Sequence, residues 1–171
     1  LASAHMDDRS YVEDCLGKIS ISSKHLLNLI NDILEMSRIE RDKVKLNLQS
    51  LSLRELLDQV ITMIRPQAAE KSLRFQVQAD SVTHEYFYGD ILRMNQILIN
   101  ILGNAVKFTP TGGSIILQVE ECAAKEDHVR YRYTIQDTGI GMSPEVLSHV
   151  FEPFTRGHNV GRTEGTGLGL S

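Results

Sequence analysis

Asp137-Thr138-Gly139-Ile140-Gly141-Met142 and, near the end of the chain, Gly165-Thr166-Gly167-Leu168-Gly169-Leu170 are the two stretches that decide the fold assignment. Glycines allow a backbone to approach phosphate groups closely. A carboxylate that opens a turn can accept a hydrogen bond from an exocyclic amine such as that of adenine. Either turn alone is a weak motif. Together, in this order, they predict two parts of one nucleotide pocket with a mobile lid between them.

The composition of the chain excludes several classes of protein. Of the 171 residues, 42% are hydrophobic and 23% are charged, so the chain can build a core and is unlike a disordered tail. The formal net charge of -4 gives no support for broad binding to nucleic acid or anionic membranes. No apolar run approaches the roughly 18 residues that span a bilayer. Cys15 and Cys122 lack metal-ligand spacing, which favours a reduced cytoplasmic protein.

A long amphipathic helix is predicted from residue 7 to about residue 40, after residues 1–6, which read as vector-derived. Its apolar or small side chains recur at alternating steps of four and three, at Val12, Leu16, Ile19, Ser23, Leu26, Ile30, Ile33 and Ser37. This heptad spacing predicts a helix that needs a partner. The partner is a second subunit or another helix of the same protein; packing back onto the helix's own domain is the alternative.

Strands and helices alternate after this helix without a repeating βαβ unit. Period-two patterns predict strands at 43–51, 73–79, 114–122 and 129–136, the last two as an antiparallel hairpin. Capping residues Ser52, Asp90 and Ser143 predict three helices: one over 53–71, one from Asp90 to about 108, and a short one with Pro144 at its first position. Pro66 predicts a kink or an early break in the first of these. The expected class is α+β, an α/β sandwich with helices on one face of a mixed sheet.

Asn100, Asn104 and Lys107 lie on one face of the helix predicted after Asp90, because they are spaced i, i+4 and i+7. The apolar residues of the same segment face the other way: Leu98, Ile101, Leu102 and Ala105. Amide oxygens are hard ligands that suit Mg²⁺, and lysine is a compact cation for phosphate oxygens. The stripe therefore predicts a site for a metal-bound polyphosphate, with a solvated polar face as the alternative.

Four segments resemble, in order, the sequence boxes of bacterial sensor histidine kinases. Residues 90–109 are similar to the N box, 137–142 to the G1 box, 151–154 (Phe-Glu-Pro-Phe) to the F box, and 165–170 to the G2 box. The resemblance covers about residues 43–171. It implies a Bergerat-type ATP-binding fold of the GHKL superfamily, with ATP and Mg²⁺ as the cofactors.

The resemblance also implies roles for individual residues. Asn100 and Asn104 would help to hold Mg²⁺ and the phosphates, Lys107 would contact phosphate, and Asp137 would recognise adenine. Arg156, just after the F box, would neutralise phosphate charge, which makes Asn100, Lys107 and Arg156 the candidate catalytic residues. The other candidate nucleotide-binding residues shape the turns or pack around the base and lid: Phe108, Gly139, Gly141, Phe154, Gly165, Gly167 and Gly169. For the phenylalanines, including Phe151, plain core packing is the alternative.

Position 100 separates this chain from related ATPases. In DNA gyrase and the ninety-kilodalton heat-shock chaperone, the residue one turn before the metal-binding asparagine is a glutamate that activates water. Asn100 cannot act as a base at neutral pH, so the sequence disfavours a hydrolysing ATPase. Phosphoryl transfer depends mainly on positioning and charge neutralisation, so an imidazole delivered to the pocket could serve as the nucleophile.

The family's acceptor histidine lies on the first helix of a dimeric four-helix bundle and is followed by an acidic residue and then a proline. His25 instead precedes Leu26 and has no nearby proline. We therefore expect residues 7–42 to be the second bundle helix, without the acceptor-histidine helix. We expect residues 43–171 to be the catalytic domain, truncated after the G2 box.

The expected function is transfer of the γ-phosphoryl group of Mg·ATP to a histidine, for relay to an aspartate on a response-regulator receiver domain. This fragment itself is expected not to autophosphorylate. The alternative is a nucleotide-binding and dimerisation module without activity of its own. We further expect a homodimer through the first helix, no nucleic-acid partner, no membrane contact by this fragment and a cytoplasmic location. Membrane attachment of the parent protein is left open by the sequence.

Overall fold

The computed structural model describes residues 9–40, 45–124 and 128–152. The chain divides into two compact units, one ending at Lys45 and the other beginning at Leu46. Of the candidate site residues, Phe154, Arg156, Gly165, Gly167 and Gly169 lie outside the described residues.

The first unit contains one long helix, α1, over Arg9–Glu40. Ion pairs spaced i, i+4 stabilise its polar side, from Arg9 to Glu13 at 3.0 Å and from Lys18 to Asp14 at 2.6 Å. Apolar side chains of the predicted heptad face are solvent-exposed, namely Leu16, Ile19, Leu26 and Ile30, and so is Leu27, which widens that face. The predicted long amphipathic helix is confirmed, and in the single chain these side chains of its apolar face are uncovered.

The second unit begins with strand β1, Gln49–Ser52, followed at once by helix α2, Leu53–Glu70. The Ser52 hydroxyl accepts a hydrogen bond from the Glu55 N–H at 3.3 Å, as the capping box predicts. Of the two outcomes predicted for Pro66, a kink or an early break, the early break is wrong, because the helix continues to Glu70. Ile64 and Ala68, on either side of the proline, are both buried, and this packing offsets the missing backbone hydrogen bond.

The remaining elements are strand β2 over Arg74–Ser81, strand β3 over Tyr86–Gly89, helix α3 over Ile91–Phe108, strands β4 and β5 over Ser114–Ala124 and Val129–Asp137, and helix α4 over Pro144–Ser148. Strand β4 pairs in parallel with β2 and antiparallel with β5, so this sheet is mixed. Strands β1 and β3 form a separate antiparallel pair. The predicted hairpin is the β4–β5 pair, and the α+β class is confirmed.

Strand β1 is shorter than predicted, and β3 was not predicted. The pairing register places Gln49 opposite Gly89, so residues before Gln49 would need a partner beyond Gly89. Asp90 already caps α3 at that point, and no strand partner is left. Leu46 and Leu48, whose alternation suggested a longer strand, are therefore exposed.

The core of the second unit lies between α2, α3 and one face of the three-stranded sheet. Its fully buried side chains include Leu56, Val60 and Ile64 of α2, Leu102 of α3, and Ile115, Leu117 and Val119 of β4. The polar residues that alternate with them on β4 point to the other face of the sheet. The helices thus cover one face of a mixed sheet, as the sandwich prediction requires.

The segment between β2 and β3 is fastened to β4 by the Glu121 carboxylate. This carboxylate accepts hydrogen bonds from the Thr83 N–H at 2.8 Å, the Thr83 hydroxyl at 2.9 Å and the His84 N–H at 2.9 Å. His84 Nδ1 lies 2.7 Å from its other oxygen, and the Tyr131 hydroxyl donates to the His84 carbonyl. The His84 and Thr83 backbone N–H groups lower the pKa of Glu121 to about 2.

Candidate functional site

Helix α3 begins at a well-defined cap. The Asp90 carboxylate accepts hydrogen bonds from the N–H groups of Leu92 and Arg93 at 3.1 and 3.2 Å, which satisfies donors at the helix start. Its other oxygen accepts from the Asn47 N–H at 3.0 Å. The Asn47 and Arg93 backbone N–H groups hold the pKa of Asp90 below its ordinary value. The carboxylate therefore fixes where α3 starts and the rotation at which its faces are presented.

The polar stripe of α3 lies on the side that the core leaves open. Asn100 is exposed, and Asn104 and Lys107 are half-buried. The opposite side packs into the core through Leu98, Leu102, Ala105 and Val106; Ile101 is only partly buried. Lys107 Nζ lies 4.9 Å from the centre of the Phe108 ring, within cation–π range.

The two carboxamides are chemically suited to a magnesium–polyphosphate ligand. Mg²⁺ prefers oxygen ligands and keeps several waters when a phosphate supplies part of its coordination. Carboxamide oxygens one helical turn apart on the open side of α3 meet that requirement. Among the described residues, no group of three or more His, Cys, Asp or Glu side chains could form an all-protein metal site.

The turn at 137–142 is built by its own acidic residue. Asp137 Oδ1 accepts a hydrogen bond from the Gly139 N–H at 2.7 Å, which holds the exposed carboxylate at the start of the turn. Thr138 fastens the turn to the sheet, because its hydroxyl accepts from the Ser114 N–H at 2.9 Å and its N–H donates to the Ser114 carbonyl at 3.1 Å.

The same turn contacts the end of α3. The Ile140 N–H donates to the Phe108 carbonyl at 3.3 Å. A Cβ atom at Gly139 would lie 2.8 Å from that carbonyl oxygen and 2.5 Å from Asp137 Oδ1, so only glycine fits. Gly141 has open space around it but a φ of +67°, so there glycine is favoured by conformation. This contact therefore places the turn, with Asp137 and Gly139, next to the last turn of α3, which carries Lys107 and Phe108.

After this turn the chain presents apolar side chains to solvent. Ser143 caps α4 by accepting from the Val146 N–H at 3.3 Å, and Pro144 takes the first helical position, as predicted. Ile140, Met142, Leu147 and Phe151 are all more than half exposed. Phe151, the first residue of the F box, is therefore not a core residue in the described structure.

Two residues that organise this region were not predicted as such from the sequence. Lys71, just after α2, donates to three backbone carbonyls at the end of α3. Thr138 was treated only as part of a glycine turn. Neither role has a local signal, because each depends on a partner more than 20 positions away in the chain.

None of the described helices is long and apolar enough to cross a membrane.

Comparison with known proteins places these residues within a described family. Residues 89–171 match the profile of the histidine kinase-, DNA gyrase B- and HSP90-like ATPases. The match begins at Gly89, immediately before the α3 cap, and includes the polar stripe of α3 and both glycine turns.

Individual relatives resemble most or all of the chain. The sensory/regulatory protein RpfC of Xanthomonas campestris pv. campestris is 35% identical over 174 residues, which cover 100% of this chain and 24% of that protein. The sensor histidine kinase GacS of Pseudomonas protegens is 39% identical over 92% of this chain and 17% of its own length. Full-length ShkA, in its crystal structure with AMPPNP, shares 34% sequence identity with this chain and superimposes on it with a TM-score of 0.75. The match covers 96% of this chain and 32% of the ShkA chain. The chain thus spans a third or less of each.

Proposed function

Since this chain belongs to the sensor histidine kinases, we propose that its second unit binds Mg·ATP between α3 and the turn at 137–142. The matching domain, at residues 89–171, is that of the histidine kinase-, DNA gyrase B- and HSP90-like ATPases. The observation that carries the proposal is the hydrogen bond from the Ile140 N–H to the Phe108 carbonyl. It joins the turn that begins with an exposed carboxylate to the end of the helix that bears two carboxamides and a lysine.

Each side of this proposed pocket has its own chemistry. The Asp137 carboxylate accepts from the exocyclic amine of adenine, because the Gly139 N–H already orients it. Asn100 and Asn104 supply oxygens to Mg²⁺, and Lys107 neutralises phosphate charge. Bound Mg²⁺ would add charge neutralisation at the transferring phosphoryl group. Phe154, Arg156, Gly165, Gly167 and Gly169 lie outside the described residues, and their nucleotide-binding roles rest on the family resemblance alone.

We propose that the parent protein transfers the γ-phosphoryl group to a histidine and passes it on to a response-regulator aspartate. The names of the relatives, a sensory/regulatory protein and a sensor histidine kinase, support this proposal. Asn100, in place of a glutamate that could act as a general base, supports transfer over hydrolysis, since a carboxamide does not deprotonate water. We also propose a homodimer through α1 and a cytoplasmic location, where ATP is available.

Calorimetric titration with AMPPNP, with and without Mg²⁺, tests nucleotide binding. We expect Mg²⁺-dependent binding that is lost in Asn104→Ala and weakened in Asp137→Asn. Asp58→Asn, an exposed carboxylate on α2, is the matched control and should bind as the unmodified chain does. Absence of binding by the unmodified chain contradicts the proposal.

The nucleobase is tested separately. Guanine presents a carbonyl where adenine presents an amine, so a carboxylate that accepts from the base should disfavour GTP. Asp137→Asn, whose amide can also donate, should reduce the preference for ATP over GTP. An unchanged preference would remove Asp137 from base recognition.

The alternative proposal is a nucleotide-binding and dimerisation module that is inactive by itself, which the uncovered apolar side of α1 favours. None of the six histidines stands in the acceptor pattern of the family. We therefore expect no acid-labile phosphohistidine on the chain after incubation with Mg·ATP, and no steady phosphate release. Phosphohistidine on this chain would refute this expectation, and sustained phosphate release would favour an ATPase.

A further inference from the structure

Lys71, the residue that follows α2, holds the carboxyl end of α3. Its ammonium group donates to the carbonyl oxygens of Val106, Lys107 and Thr109 at 2.8, 2.9 and 2.9 Å. An ammonium group has three N–H donors, and these three contacts use all of them. The side chain is half-buried against the helix end.

These contacts stabilise the helix end in two ways. The last carbonyls of a helix have no partner within the helix, and together they form the negative end of its dipole. A cation that hydrogen-bonds to them satisfies the carbonyls and lies where positive charge is favoured. Lys71 donates to the carbonyls of residues 106, 107 and 109 but not to that of Phe108. The Phe108 carbonyl instead accepts a hydrogen bond from the Ile140 N–H. The helix end is therefore shared between Lys71 and the turn that carries Asp137.

Lys71 is itself fixed by the backbone around it. The N–H of Ser72 donates to the Ala69 carbonyl at 2.9 Å, and the N–H of Leu73 donates to the Ala68 carbonyl at 2.8 Å. These two bonds form a Schellman motif, with Ser72 at a φ of +54°. The main chain next to Lys71 is thus locked before the side chain reaches α3.

We propose that Lys71 is a positioning residue of the nucleotide site. It touches no ligand; through backbone carbonyls it sets the last turn of α3, which carries Lys107 and supports the turn that begins at Asp137. The inference rests on the proposed nucleotide function. Without the ammonium group, the end of α3 would spend part of its time out of place, and the apparent affinity would fall by the fraction of competent molecules lost.

The test compares Lys71→Met with Ser52→Ala in the full chain. Lys71→Met removes side-chain hydrogen bonds to the end of α3, whereas Ser52→Ala removes the side-chain cap at the opposite end of α2. AMPPNP affinity is measured with Mg²⁺ well below the unfolding transition of each variant, where loss of stability alone leaves affinity unchanged. We expect Lys71→Met to bind about five- to tenfold more weakly and Ser52→Ala to bind as the unmodified chain does.

Two further measurements separate positioning from a general structural role. Lys71→Arg keeps the charge and several donors, so it should recover affinity to within about twofold of the unmodified chain. Amide hydrogen exchange at Ile140 should be faster in Lys71→Met and unchanged in Ser52→Ala, because only the first variant frees the neighbourhood of the Phe108 carbonyl. If Lys71→Met does not fold, Lys71→Gln, which keeps amide donors without charge, is held to the same expectations.

The outcomes distinguish this inference from the proposed function. Equal affinity of Lys71→Met and the unmodified chain, or equal weakening in Lys71→Met and Ser52→Ala, overturns the positioning role while nucleotide binding stands. If the unmodified chain binds no AMPPNP, the proposed function fails, and exchange at Ile140 still reports on the contact. Unchanged exchange at Ile140 in Lys71→Met overturns the inference in either case.

Discussion

Gly139 and Gly141 are separated only by Ile140 but should respond differently to substitution by alanine. Gly139→Ala places a methyl group into the Phe108 carbonyl oxygen, so the turn must move and nucleotide binding should be lost. In Gly141→Ala the added methyl group meets no atom within 4 Å. The left-handed backbone there should lower the free energy of unfolding by about 1–2 kcal/mol. Urea unfolding and AMPPNP titration of both variants measure the difference. Equal binding by the two variants would contradict the steric assignment.

Ser72 is the described residue other than glycine that has a positive φ, +54°. Glycine adopts this conformation without strain, although it loses more backbone entropy on folding. Ser72→Gly should therefore raise the free energy of unfolding by about 0.5–1 kcal/mol. Ser72→Ala keeps the Cβ atom and is the control, for which no such gain is expected in urea unfolding. A gain of the same size in Ser72→Ala would mean that backbone strain is not the cause.

At the scale of elements, the Glu121 contacts give the second unit a defined acid sensitivity. The folded pKa of Glu121, about 2, is below its ordinary value of 4.5. A lowered pKa contributes stability that is present above pH 4.5 and is lost as the pH falls toward 2. We expect Glu121→Gln to be less stable at neutral pH and to show a shallower loss of stability between about pH 4.5 and 2.

Denaturant unfolding across that pH range checks this expectation. Glu70→Gln is the matched control, because it removes an exposed carboxylate of α2 without touching the segment at 83–85. If the two variants have the same pH dependence, the Glu121 hydrogen bonds do not set the acid response.

Helices were predicted well because their signals are local. Ser52, Asp90 and Ser143 cap the helices that follow them, and each cap can be read from the capping residue and its next few neighbours. Strand β1 was predicted too long because its length is set by β3, which ends at Gly89. Pairing partners are not visible in the alternation of one segment.

The candidate site likewise has features that the sequence predicts and features that it does not. The face shared by Asn100, Asn104 and Lys107 follows from helical periodicity alone. The contact between the end of α3 and the turn at 137–142 joins residues about 30 positions apart, and the sequence offers no local pattern for it. Lys71 could not be identified for the same reason, since a lysine at a helix end more commonly faces solvent.

At the scale of the whole molecule, the uncovered apolar side of α1 predicts self-association. Ile19→Glu places a charge on the heptad face, where burial between helices would be costly. We expect it to shift a dimer toward monomer in sedimentation velocity. Gly17→Glu, two positions earlier and on the opposite side of α1, is the control and should leave the oligomeric state unchanged. A monomeric unmodified chain would contradict the proposed homodimer.

The parallel pairing of β2 with β4 also has a kinetic consequence. Arg74 lies opposite Ser114, 40 positions later, whereas β4 and β5 are neighbours in the chain. Closing the long connection costs more chain entropy than closing the hairpin, so the hairpin can form first and the parallel pair must wait. Helix α3 lies inside that long connection. The surface that carries Asn100 and Asn104, the proposed ligand-binding face, therefore reaches its place only with the slow, non-local step of folding.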